Sequence, residues 1–124
     1  MGIASIEEQI EALIHHTTLE LAKQKGLIDK SGKIHWEGLF TVKRGEIENY
    51  VKHKYDLYHL PRIYYQPDLT KEGFFIIPDS NGFLTYYQER RIQAMKKVVR
   101  SEEGTWKVYF DYVLSISGTG SKWE

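Results

Sequence analysis

The 124-residue sequence predicts an α+β domain: a small antiparallel sheet centred on a Phe74–Arg90 hairpin, packed by an N-terminal helix and one or two further helices. Three observations predict it. Ile6, Ile10, Leu13, Ile14, Leu19 and Leu21 recur mostly at helical spacing, with Glu7, Glu8 and Glu11 on the other side. An apolar run, Phe74 to Ile77, and an aromatic run, Phe83 to Tyr87, flank Asp79-Ser80-Asn81-Gly82, and Asn-Gly between two such runs is a strong hairpin signal. The chain is long enough for a single core and shows no linker or internal repeat, so residues 1–124 read as one domain.

Taken in order, Ile6 to Gln24 reads as one helix. Ser5 is placed to cap its start, Glu7 and Glu8 suit the positive end of its dipole, and Gly26 after Lys23 and Lys25 stops it. Thr17 and Thr18 are β-branched and weaken its middle without breaking it. Asp29-Lys30-Ser31-Gly32 is a turn, and Ile34 to Val42 is a short strand or a loop. Arg44 to Leu57 again has helical spacing through Ile47, Tyr50, Val51 and Tyr55, and Pro61 stops anything helical near His59 or Leu60. Arg62 to Gln66 reads as a strand. In the hairpin, Phe74 and Ile76 face opposite to Phe75 and Ile77, so its first arm is covered on both sides. Pro78 cannot donate to a ladder. Pairing is therefore expected to begin at Ile77, around a four-residue turn. Ile92 to Arg100 is a third strand or irregular. Ser101 to Ser117 fits a helical stripe through Trp106, Tyr109, Phe110 and Val113 and equally fits strand alternation. The chain ends in a glycine-punctuated tail carrying Trp123.

Composition narrows the chemistry. With 17 basic and 17 acidic residues the chain is formally neutral, which removes the general case for binding a phosphate backbone. It has no cysteine, so disulfides, thiolate metal sites and cysteine nucleophiles are excluded. No apolar run approaches the roughly 20 residues of a spanning helix. The start has no basic n-region, so neither a membrane nor secretion is expected, and the cytoplasm is the default.

Catalytic constellations are weak. His15 and His16 are neighbours and point about 100° apart on a helix, and His53, Asp56 and His59 offer no fourth ligand. No nucleophile elbow and no phosphate-binding glycine loop is present, since Gly118-Thr119-Gly120 lacks the following glycine and helix. The expectation is therefore a binding protein rather than an enzyme, with no metal and no cofactor. The candidate partner-binding surface is the Tyr-rich second arm: Tyr86, Tyr87, Glu89, Arg90 and Arg91, because Tyr and Arg commonly anchor protein interfaces. Interleaved Tyr and basic residues from Tyr86 to Arg100 leave single-stranded nucleic acid as an alternative ligand.

Leu60-Pro61, Gly73-Phe74-Phe75-Ile76-Ile77, Asp79, Gly82-Phe83 and Tyr86-Tyr87-Gln88-Glu89-Arg90 follow one another at suggestive spacing. Phe110-Asp111-Tyr112-Val113 and Ser121-Lys122-Trp123-Glu124 continue the series. This pattern resembles an immunity family of bacterial polymorphic toxin systems, the one numbered sixty-three, over about half the chain. Arg91 stands where that family tends to have Gly. The resemblance implies a small cytoplasmic protein that binds a cognate toxin domain and blocks it, and it favours a helix for Ser101 to Ser117. A phage- or host-encoded inhibitor of another protein is the alternative with the same physics.

Overall fold

The computed structural model describes residues 4–34 and 40–116. Their elements are α1 (Ile6–His15), α2 (Thr18–Gln24), α3 (Arg44–Lys54), a 3₁₀ turn (Leu57–His59), β1 (Ile63–Tyr64), β2 (Gly73–Asp79), β3 (Gly82–Glu89), β4 (Ile92–Val99) and α4 (Glu102–Ser115). The α+β class expected from the sequence is the class observed. The chain divides into two compact units, residues 1–54 with 112–124 and residues 55–111. The tail motifs Gly118-Thr119-Gly120 and Ser121 to Glu124, and positions 35–39 of the Ile34–Val42 stretch, lie outside the described residues.

In the first unit, α1 opens with a reciprocal cap. The Ser5 hydroxyl accepts the Glu8 N–H (3.1 Å) while the Glu8 carboxylate accepts the Ser5 N–H (2.9 Å). The single helix expected to Gln24 is broken at His16, which adopts the left-handed conformation at φ 59°. There Thr17 N–H donates to Ala12 O and His16 N–H to Leu13 O, the Schellman pattern. The same pattern recurs ten residues on, with Leu27 N–H to Ala22 O, Gly26 N–H to Lys23 O, and Gly26 at φ 71°. The break turns Leu19 off the stripe, and it stands 43% exposed, whereas Ile10, Leu13 and Ile14 are buried. The expected Asp29 turn forms, its carboxylate accepting from Ser31 and Lys33 N–H. Gln9 is fully buried on α1. Its side-chain oxygen accepts from Thr41 and Val42 N–H, and its amide nitrogen donates to Ala4 O and Thr41 Oγ1.

In the second unit the strand order is β1-β2-β3-β4. The antiparallel meander β2-β3-β4 is the hairpin expected, extended by one strand. To it β1 adds in parallel, Ile63 beside Phe74 and Tyr64 beside Phe75, so the sheet is mixed. The strand expected over Arg62–Gln66 shrinks to these two residues because Arg62 sits at φ 60° and Tyr65 turns back. The Tyr65 hydroxyl donates to Leu57 O (2.7 Å) and accepts from Leu60 N–H (2.8 Å).

The turn expectation at Pro78 is corrected. Pro78 pairs with Phe83 and Asp79 with Gly82, so the ladder runs past the proline to a two-residue loop, Ser80–Asn81. Pairs flanking such a loop are hydrogen-bonded and the next pair is not, so Pro78 occupies a position that needs no N–H toward β3. Gly82 is a strand residue at φ 130° rather than a turn residue. A Cβ there would run into the Val99 carbonyl oxygen. The Asp79 carboxylate closes the loop by accepting Asn81 N–H (2.7 Å).

Phe74, Phe75 and Ile76 are all buried, as coverage on both faces requires. Tyr64, Phe75 and Tyr86 line up in register across three strands, with ring centroids 5.0 and 4.8 Å apart. Ring pairs at this separation contribute about 0.5–1.5 kcal/mol beyond area burial. The segment that fitted helix and strand equally is helix α4. Ser101 Oγ accepts Gly104 N–H (3.0 Å), and Gly104 lies where a Cβ would meet a Val99 methyl at 2.9 Å.

Candidate protein-binding surface

The candidate surface is built by the β3–β4 hairpin. Its loop is Arg90–Arg91, flanked by the Glu89–Ile92 pair. Both arginines have positive φ, 51° and 67°, the pattern of the mirror-image turns that suit the right-handed twist of two-stranded ribbons. Asn and Gly usually occupy such positions, because an L side chain in the left-handed region costs about 1–2 kcal/mol. Strained backbone of this kind persists where the surroundings impose it. Here the Glu72 carboxylate accepts Arg90 N–H (3.0 Å), and Gln88 secures the strand end. The buried Gln88 amide donates to Asp68 O (2.7 Å) and Lys71 O (2.8 Å) and its oxygen accepts from Gln93 (3.2 Å).

Of the five residues expected to form the surface, Glu89, Arg90 and Arg91 are exposed and adjacent, and Tyr87 is half-buried beside them. Tyr86 is corrected: at 1% exposure, stacked on Phe75, it belongs to the core and offers a partner nothing. Burial pushes its hydroxyl pKa up. Adjacent Tyr86 and Tyr87 point to opposite faces, and β3 is an interior strand, so alternation alone does not say which ring meets water. Tyr87, Glu89, Arg90, Ile92 and Ala94 line a shallow hollow of about 370 Å³.

Of the two options for Ile92 to Arg100, strand or irregular, the strand is observed as β4, which the expected protein-binding surface did not include. This strand is an edge strand among the described residues, and Ile92, Met95 and Val98 on it are 71%, 63% and 64% exposed. Between the Tyr87–Ala94 and Thr85–Lys97 pairs, Met95 and Lys96 both stand opposite Tyr86, a bulge with Met95 at φ 58°. Arg90, Arg91, Lys96, Lys97 and Arg100 are all exposed, with Glu89 the single acidic residue from Phe83 to Arg100. A neutral chain therefore carries a strongly basic hairpin. The available signal was the Lys96-Lys97 pair beside β-branched residues, a common dress for an edge strand.

Among the described residues the histidines do not assemble. His59 Nδ1 lies 3.3 Å from the Asp56 carboxylate, which also accepts Tyr58 N–H to cap the 3₁₀ turn, and His15 lies 3.2 Å from Glu11. Among the described residues no group of three His, Cys, Asp or Glu side chains is placed to hold a metal ion. None of the described helices is long and apolar enough to cross a membrane. No family model, curated protein or solved structure matches the chain.

Proposed function

We propose that the chain is a cytoplasmic binding protein that neutralises a cognate bacterial toxin domain by direct contact through the β3–β4 hairpin. The observation that carries the reading is the exposed end of that hairpin, where Arg90 and Arg91 project from a strained turn next to Tyr87 and the 71%-exposed Ile92. Strain retained at an exposed turn and large apolar side chains left in water are both features of contact surfaces. The immunity-family pattern runs through the same segment, Tyr86 to Arg90, and supplies the class of partner.

The test is co-expression. Toxin-like domains encoded beside this chain are induced in a sensitive host with and without it, and growth is followed. Protection against one of them is expected, and Arg90→Glu with Arg91→Glu should weaken it. Undiminished toxicity in every pairing would remove the immunity reading, and capture of a different protein by the wild-type chain would favour an inhibitor of another target.

A further inference from the structure

The geometry points to the outer edge of β4, which pairs with no strand among the described residues, as a strand-addition site for an extended, acidic segment of a partner protein. This rests on the reading that the partner is a protein bound at the hairpin, and it names the mode and the chemistry of that contact. The topology supplies the backbone. A two-residue loop makes Glu89–Ile92 a hydrogen-bonded pair of β3 and β4, so the next residue, Gln93, turns its N–H and C=O away from β3. Beyond the bulge the same alternation leaves Val98 turned outward, between Lys97 and Val99, which pair with Thr85 and Phe83. Main-chain groups on an open edge take an extended segment of almost any sequence, and neighbouring side chains choose among them.

The side chains choose an acidic segment. Lys96, Lys97 and Arg100 follow Arg90 and Arg91 along the edge, while Ile92, Met95 and Val98, three residues apart, leave apolar side chains at 63–71% exposure beside them. A second copy of this chain is a poor occupant. Antiparallel apposition of two β4 strands sets the basic side chains of one copy, Lys96 and Lys97 among them, beside those of the other, and like charges facing each other are destabilising. The lysines that block self-pairing are thus the ones that attract a segment rich in Asp and Glu.

The probe is a labelled peptide of alternating Glu and Val, titrated with the full chain and read by fluorescence anisotropy. Binding is expected, with none to the Lys-for-Glu peptide, and the affinity should fall at least about tenfold when alternate peptide amides are N-methylated. Val98→Pro should lose binding similarly while keeping its thermal midpoint, since Pro there removes an outward N–H and no ladder bond. Failure of the acidic peptide to bind, or indifference to N-methylation, overturns the proposal. So does preferential binding of an oligo-dT strand, or a dimer in size-exclusion chromatography that Val98→Pro abolishes. If the peptide fails while co-expression still protects, strand addition is lost and the toxin-binding reading stands. If protection fails too, that reading falls with it.

Discussion

Gln9 and Gln88 each tie a non-repetitive segment to a regular element. The first holds Thr41 and Val42, the second the carbonyls of Asp68 and Lys71. A leucine of similar size fills either space and satisfies none of these groups. Gln9→Leu leaves the buried Val42 N–H without its acceptor, which costs about 1–3 kcal/mol. Urea denaturation should show that loss with little change in slope. Thr85 presents the opposite case. Its hydroxyl is fully buried with no hydrogen-bond partner among the described residues. Removing an unsatisfied buried hydroxyl while keeping the branched shape is favourable, so Thr85→Val should gain about 1 kcal/mol. A lower midpoint for Thr85→Val than for wild type would contradict this. Neither glutamine was legible in the sequence. Both look like solvent-facing polar residues until partners 32 and 20 residues away arrive.

At the scale of elements, the hairpin turns exchange the roles that their residues advertise. Asn81-Gly82 advertises two positive-φ turn positions, yet the loop is Ser80–Asn81 and Gly82 is kept for its closeness to the Val99 carbonyl. Gly82→Ala meets both the positive φ and backbone it cannot displace, so a cost of about 2–4 kcal/mol is expected in thermal or urea unfolding. The doubly positive turn falls instead on Arg90–Arg91. Arg91→Gly relieves about 1–2 kcal/mol of left-handed strain and returns about 0.5–1 kcal/mol through the freer unfolded chain. The net expectation is a gain of about 0.5–1 kcal/mol, paired with weaker binding if the arginine touches a partner. Signals complete within a few residues, such as the Ser5 cap, the Gly26 stop and the Asp29 turn, were legible. The break at His16 was not, because nothing in Leu13 to Thr18 forbids continuing the helix. Candidate-site residues were legible where the turn exposes them, at Glu89, Arg90 and Arg91. Tyr86 failed because burial depends on whether a strand lies inside the sheet or at its edge, and a local pattern does not carry that.

Across the whole molecule, the titrating groups with shifted pKa values set the pH range of stability. On the alkaline side, burial pushes the Tyr65 hydroxyl up to about 12, from an ordinary value near 10. Tyr50, Tyr58 and Tyr86 are also raised, each chiefly by burial. An acid whose folded pKa exceeds its unfolded one favours the folded state while protonated. Its contribution is whole below pH 10 and is lost as pH rises from about 10 toward about 12. On the acid side, Glu8 and Asp56 are lowered first by backbone N–H groups of Ser5 and Tyr58, and Asp68 by the Thr70 hydroxyl. Their contributions are present above ordinary values of 4.5 and 3.8 and are lost as pH falls through the lowered ones. The thermal midpoint should therefore be level from about pH 5 to about pH 9 and fall on either side. Tyr65→Phe separates this account from a general alkaline loosening. It removes the donor to Leu57 O and the acceptor of Leu60 N–H, so its midpoint on the plateau should be lower by the equivalent of about 1–3 kcal/mol. It also removes one of the raised hydroxyls, so its decline between about pH 10 and 12 should be shallower and the two curves should converge. Parallel declines in the two proteins would mean that Tyr65 ionises in the folded state as freely as in the unfolded chain.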